Sequence, residues 1–517
     1  MLRSRYVLVA LGAALALIAP PSAGAGHGLS GFVRESTWHA PQGGPFGSFS
    51  PRFSASPTAA TASRSVEVLA HANPRGDVNG NIWVHADHAY MGYYGNARTT
   101  CQSGVRVYSL RNPKRPRRVA TFARPTGALT GTYADQVRIK ALRSAAFTGD
   151  LAAVGLQRCR FPFDGSGGTR GFALYDVSRP SSPRLLSIVN TLPVVGSHEL
   201  WLQVVGDRAY VYTAIPRAEL HGSPDGVTPA NPDFRIYDVS NPSSPVQVGQ
   251  WGIWANLGIK PNVNQFVHSV ITNKAATRAY LSYWEYGTVI LDISDPSRPQ
   301  HLSTLRDPAQ LELPHAHTAW LTPDEKVLLE TQEFGRFFNF RGTGYPRLYD
   351  ISDERSPALI SRYELPGAET STVHDPKIVG KRAYLSWYDF GVRVLDISRP
   401  GSPRALAHFQ PGAGRNPANP WCPACTFVWG AFPNRDYFVA TDMNTGLWVA
   451  KVRCVVPNVR GLLPADARAA LARSDCRTGK VGRKKAGATL RGRVVTQKPR
   501  AGAKPSFPSA VRLVVNS

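Results

Sequence analysis

The chain has 517 residues and a formal net charge of +25, with 43% hydrophobic residues, 46 glycines, 42 prolines and 3 methionines. That length exceeds one ordinary domain, and the apolar and aromatic content suffices for sizeable cores. Abundant turn formers argue against a mainly helical protein, and no apolar run beyond the N-terminus approaches membrane length.

Met1 to Ala25 reads as a signal peptide: Arg3 and Arg5 form a positive end, Tyr6 to Ala19 is apolar, and Ala23-Gly24-Ala25 suits cleavage. An uncleaved N-terminal anchor is the alternative. Residues 26–64, rich in Gly, Ser, Pro and Ala, read as a flexible leader. Six cysteines in an exported chain imply three disulfides rather than free buried thiols. Ser65 to His71 then alternates as a single orphan strand.

A repeated motif organises most of the chain. Leu174-Tyr175-Asp176-Val177-Ser178 leads to Pro180 and Pro183, and the pattern returns at Asp238, Asp292, Asp350 and Asp396, with a weaker copy at Ser109. An apolar strand ends at Asp-x-Ser, whose side chains can bond the backbone ahead and turn it. The prolines withhold donors, so the strand stops and a second short strand begins after them. Two further strand-like runs lie upstream of each copy, as in Phe266–Ile271 and Thr277–Ser282 before Gly287–Asp292. Four antiparallel strands recurring around a ring make a β-propeller.

Six motif copies give six blades, and Thr426–Trp429, Asp436–Thr441 and Gly446–Ala450 form most of a seventh. Ser65 to His71 would complete it and close the ring. The fold expected is all-β, a seven-bladed propeller of four-stranded blades over residues 65–453. The stretches Val289-Ile290-Leu291-Asp292 and Val392-Arg393-Val394-Leu395-Asp396-Ile397-Ser398 resemble the LVIVD repeat family, with the likeness running from about Ser65 to Val452. The resemblance implies an exported or cell-surface propeller and leaves its activity unassigned.

The long insertions, such as 157–171, 214–234 and 333–345, fall on one face of that ring. A scaffold with one elaborated face is expected to bind through it. Cys101 and Cys159 sit in neighbouring loops there and are paired on that ground; Cys422 and Cys425 read as a loop staple, with a redox or zinc role the alternative.

Histidines gather at the same face. His198, His268, His315, His317 and His374 all stand near the start of an innermost strand, with Glu285, Glu330, Glu333 and Asp389 near. His198 and His268 each precede a tyrosine of the next strand by twelve residues, whereas His374 precedes Tyr384 by ten, which places it two residues further along. His268, His315, His317 and His374 are the candidate transition-metal ligands; polar residues lining a channel are the plainer reading. Tyr283, Trp284, Trp387 and Tyr388, with His198, His268, His317 and His374, are the candidate ligand-binding set; the aromatics suit stacking on a sugar or peptide and equally suit packing between blades.

From Cys454 the composition changes. Sixteen Lys and Arg between Lys451 and Ser517 face only Asp466 and Asp475. Ala465 to Arg473 reads as helix and the remainder as two or three strands. Val456-Pro457-Asn458-Val459, Gly492-Arg493-Val494-Val495-Thr496-Gln497-Lys498-Pro499 and Val511-Arg512-Leu513-Val514-Val515 occur in order and resemble a PASTA domain over residues 454–517. The resemblance implies a small α+β fold, a Cys454–Cys476 bridge, and binding to peptidoglycan. Its excess positive charge adds attraction to anionic wall polymers.

Together these readings give a secreted, cell-wall-associated binding protein with no transmembrane segment after cleavage, no nucleic-acid partner and no required cofactor. A metal-dependent oxidoreductase or hydrolase at the channel mouth is the alternative. No Ser-His-Asp spacing, phosphate loop or nucleotide fingerprint supports another class.

Overall fold

The computed structural model describes residues 59–517 except 75, 96–102, 159–168, 192–195, 222, 224, 230, 307–314, 334–343, 369–370, 420, 475, 488–489 and 506–509. Cys101 and Cys159, the N-terminal targeting segment and parts of the long insertions therefore lie outside the described residues.

Sheets of four consecutive antiparallel strands succeed one another along the chain. Sheet 4 is typical: Val267–Thr272, Arg278–Tyr283, Gly287–Asp292 and Gln300–Leu305 pair in order. Val289, Ile290 and Leu291 of its third strand are fully buried, because neighbouring sheets cover both faces. That is why the repeat reads as a continuous apolar run rather than an alternation.

The Asp-x-Ser turn works as its chemistry requires. Ser178, Ser240, Ser294, Ser352 and Ser398 each donate their amide to the carboxylate two residues back, at 2.8–3.0 Å. The residue between donates to the residue that leads into the second strand, as Ile293 N does to Thr277 O and Ile397 N to Lys381 O, both at 2.9 Å. A bulge between the third and fourth strands then recurs, at Ile236/Tyr237, Ile290/Leu291, Leu348/Tyr349 and Val394/Leu395.

Neighbouring sheets are joined at a fixed repeat position, eleven residues after the motif aspartate. Ser187, Ser303 and Ser361 donate their hydroxyls to the carbonyls of Pro242, Glu354 and Pro400 in the next sheet's turn, at 2.5–2.6 Å. Gly249 fills the same position, where the backbones come so close that a Cβ would lie 1.8 Å from Pro296 O.

Among the described residues seven such sheets occur. Innermost strands pack on one another in sequence, and Val428–Asn434 of the last returns to Val78–His85 of the first. The circuit is a propeller's. Val66–Ala72 pairs antiparallel with Gly446–Val452 and supplies the fourth strand of the last sheet. Thr61–Ala62 adds to the outer edge of the sixth.

The C-terminal unit has its own core of Val456, Val459, Ala467, Leu471, Val494, Val511 and Leu513. Its helix spans Pro464–Arg473, one residue earlier than the sequence reading, because Pro464 can open the first turn. Three strands complete the unit: Ala510–Asn516 lies between Arg477–Lys484, parallel, and Val494–Lys498, antiparallel. Gln497 explains the motif: its amide donates to Pro457 O and its oxygen accepts from Val459 N, both at 2.8 Å, fastening the opening loop to the sheet. Cys454 and Cys476 are bonded, as are Cys422 and Cys425. No helix among the described residues is long and apolar enough to cross a membrane.

Candidate functional site

The innermost strands carry a second recurring bulge, near their start. His268 is the extra residue between Val267 and Ser269, His317 between Ala316 and Thr318, and Trp429 between Val428 and Gly430. His198 and Glu199 both address Ala214, and His374 and Asp375 both address Ser386, so the same two-for-one pattern holds there. A bulge re-aims its extra side chain. Here it turns four histidines of four consecutive sheets toward one another. Their rings form an arc, with centroids 4.5 Å apart for His198–His268, 4.1 Å for His268–His317 and 4.4 Å for His317–His374; Trp429 continues it at 3.8 Å.

His374 thus belongs to the same layer as the others, not two residues further along. Tyr280 pairs with Ile271, nine residues back, whereas Tyr384 pairs with Lys377, seven back, so the turn is two residues shorter by register, which shortens the count without moving the histidine.

Hydrogen bonds fix the ring tautomers. Tyr133 donates to the Gln157 side-chain oxygen, so the Gln157 amide donates to His198 Nδ1, at 2.6 Å. The His198 proton then sits on Nε2 and is donated to His268 Nε2, at 3.0 Å. His268 carries its own proton on Nδ1 and donates it to the His317 carbonyl, at 3.1 Å. His374 repeats that bond one sheet on, through Nδ1 to Trp429 O at 2.7 Å. His317 Nδ1 meets the Thr318 hydroxyl at 2.8 Å, and its Nε2 faces Glu333 Oε2 at 3.5 Å. Tyr388 donates to the other Glu333 oxygen. Burial pushes the Glu333 carboxyl up to about 7, against the pull of the Tyr388 bond.

His315 stands apart from this arc. It adopts the left-handed backbone at φ 41°, lies 3.4 Å from Glu285 and stacks on Trp284 at 5.4 Å. The ligand-atom group that closes within 4.8 Å is His268, His317 and Glu333. The aromatics also divide. Trp284 and Tyr388 border the histidines. Tyr283 packs on Trp251 and Tyr286, and Trp387 belongs to a core cluster with Val373 and Leu385 and meets Tyr363 edge-on; both are fully buried away from the arc.

Below the histidines lie two further layers. One residue past each bulge, Gln136 and Glu199 are bonded at 3.2 Å, with Arg138 donating to Gln136 at 2.9 Å and standing 3.7 Å from Glu199. Asp375 forms an ion pair with Lys377, both almost wholly buried. Three residues past the bulge come Trp83, Trp201, Trp320 and Phe432, packed edge to face, with Lys377 over the Trp320 ring at 4.5 Å. The channel is therefore closed beneath the histidines by charge pairs and then by indoles. In three of the sheets the signal was present just after the histidine, as Glu199 and Trp201, Trp320, and Asp375 and Lys377.

The match to the LVIVD repeat model covers residues 168–191, 229–251 and 279–305, and the PASTA domain model matches 455–517. A search of curated proteins found no match. Among solved structures, the computationally designed protein Ika8 is 8% identical with a TM-score of 0.43, over 74% of this chain and 99% of that chain. Raptor from Chaetomium thermophilum is 11% identical with a TM-score of 0.46, over 77% of this chain and 30% of that chain. Both likenesses are too loose to bear on function. The repeats and the tail place the chain: it carries LVIVD repeats followed by a C-terminal PASTA domain.

Proposed function

We propose that this is an exported, cell-wall-associated binding protein in which the propeller presents a ligand or partner surface and the tail grips peptidoglycan. The observation that carries the reading is the PASTA match over 455–517, since domains of that class bind peptidoglycan or peptides. The surface chemistry supports it. Lys480, Arg483, Lys484, Lys485, Arg491 and Arg493 are all exposed on the tail. They add a screened attraction to anionic wall polymers, so binding weakens as salt rises. Two bonded cysteine pairs suit an oxidising compartment.

The test is co-sedimentation with purified peptidoglycan in moderate salt. The full-length chain is expected in the pellet, and a chain ending at Arg453 in the supernatant, with an unchanged propeller melting transition. Equal sedimentation of both chains refutes the assignment of wall binding to the tail.

A further inference from the structure

We propose that His268, His317 and Glu333 bind one divalent first-row transition-metal ion at the mouth of the propeller channel. One ligand atom from each residue lies within 4.8 Å of the others, and all three residues are buried. Metal–nitrogen and metal–oxygen bonds are about 2.0–2.2 Å, so two ligand atoms on one ion stand about 3–4 Å apart. The group closes on an ion with small ring movements and no backbone rearrangement.

The atoms around the ligands are arranged as such a site requires. A metal-binding imidazole holds its other ring nitrogen in a hydrogen bond, which sets the tautomer and the ring plane. His268 donates Nδ1–H to the His317 carbonyl at 3.1 Å, leaving Nε2 as the presented atom. His317 Nδ1 is held by the Thr318 hydroxyl at 2.8 Å, and its Nε2 points at Glu333. The Tyr388 hydroxyl holds Glu333 Oε1, so that Oε2 faces inward. His198 donates Nε2–H to His268 Nε2 at 3.0 Å, and an incoming ion takes the place of that proton donor. The bulges that aim these rings recur in sheets whose loops differ, which makes the convergence a property of the inner strands.

The donor set limits the ion. Two imidazoles and one carboxylate without a thiolate suit zinc, iron, manganese, cobalt or copper in the divalent state, and disfavour calcium and magnesium, which prefer all-oxygen shells. Tyr388 is a positioning residue here, acting through Glu333.

The experiment uses the full-length, disulfide-formed chain. Each of the five divalent ions is offered separately, unbound ion is removed by dialysis, and metal per chain is read by elemental mass spectrometry. Cobalt(II) binding is followed by its visible d–d absorption. About one ion per chain is expected for at least one metal. Glu333→Gln and His317→Ala are expected to lose it while keeping the wild-type circular dichroism. Tyr388→Phe is expected to weaken affinity by about 10–100-fold. His408→Ala, on an outer strand, keeps the ion. Glu333→Gln is nearly isosteric and carries the test if His317→Ala does not fold. The proposal is overturned if no offered metal is retained by the wild type, or if Glu333→Gln retains it as well as the wild type does.

Discussion

Replacing Gly249 separates two ways of reading this propeller. By repeat alignment, Gly249 stands where Ser187, Ser303 and Ser361 stand, so a consensus argument would favour Gly249→Ser and add the missing hydrogen bond to the next sheet, for a gain of about 0.5–1.5 kcal/mol. The structure reverses the sign. A Cβ at Gly249 would meet Pro296 O at 1.8 Å, about 1.6 Å short of ordinary contact at 3.4 Å, and that atom is backbone. Sheets 3 and 4 would have to part along a packed seam, and overpacking of this kind costs about 1–3 kcal/mol. Losing glycine's freedom in the unfolded chain returns only about 0.4–1 kcal/mol. Both Gly249→Ala and Gly249→Ser are therefore expected to destabilise the propeller by about 1–2 kcal/mol net. Ser303→Ala, which only deletes a hydroxyl bond, is expected to cost no more than about 1.5 kcal/mol. Urea titration of the full-length chain, read at the propeller's own transition, measures all three. A Gly249→Ser variant as stable as wild type, or more so, would refute the close-approach argument.

The other expectations concern charge. The motif aspartates Asp176, Asp292, Asp350 and Asp396 are all held below their ordinary value of 3.8; at Asp350 the leading cause is the Ser352 amide bond. A depressed carboxylate stabilises the fold above its unfolded pKa and loses that contribution as pH falls through the lower folded value. Melting temperatures of wild type and Asp350→Asn should thus differ at pH 6 and converge below about pH 4; a constant difference across that window counts against the turn as the cause. Lys377, whose ammonium is disfavoured by burial and held by Asp375, gives a sharper case. Lys377→Met strands the Asp375 carboxylate and is expected to cost about 3–5 kcal/mol, whereas Lys377→Met with Asp375→Asn recovers most of it. Additive losses in the double variant would show that the two groups act independently.

The sheets were legible because their third strand and turn repeat as one block, Asp-x-Ser and prolines included. The tail was legible because Pro457 and Gln497 keep their places in one fastening, beside which Gly502 N bonds Val456 O at 2.8 Å. The histidine layer was only half legible. Its members are neighbours because a bulge displaces each from the strand's alternation, and a bulge leaves no mark in composition. Counting from Tyr384 misplaced His374 because one turn is two residues shorter by register. Arg138 was invisible because its partner Glu199 comes from another sheet, 61 residues on, whereas Lys377 and Asp375 stand two residues apart and were missed because the burial that forces them to pair is imposed by neighbouring sheets.

The strand that closes the ring also decides how the molecule bears load. Val66 pairs with Val452 at the same end of the seam from which the tail departs, and Arg453 N bonds Ser65 O beside it. A pull between the residues before Thr61 and the C-terminal unit would first lift Thr61–Ala62 from the sixth sheet and then enter both strands at that end. The rungs lie across the strands, so they would break singly, like a zipper, and not all together in shear. Once the two rungs of Thr61–Ala62 are lost, the ring's clasp is its mechanical weak point, and tension along the chain ends would unzip the fourth strand of the last sheet.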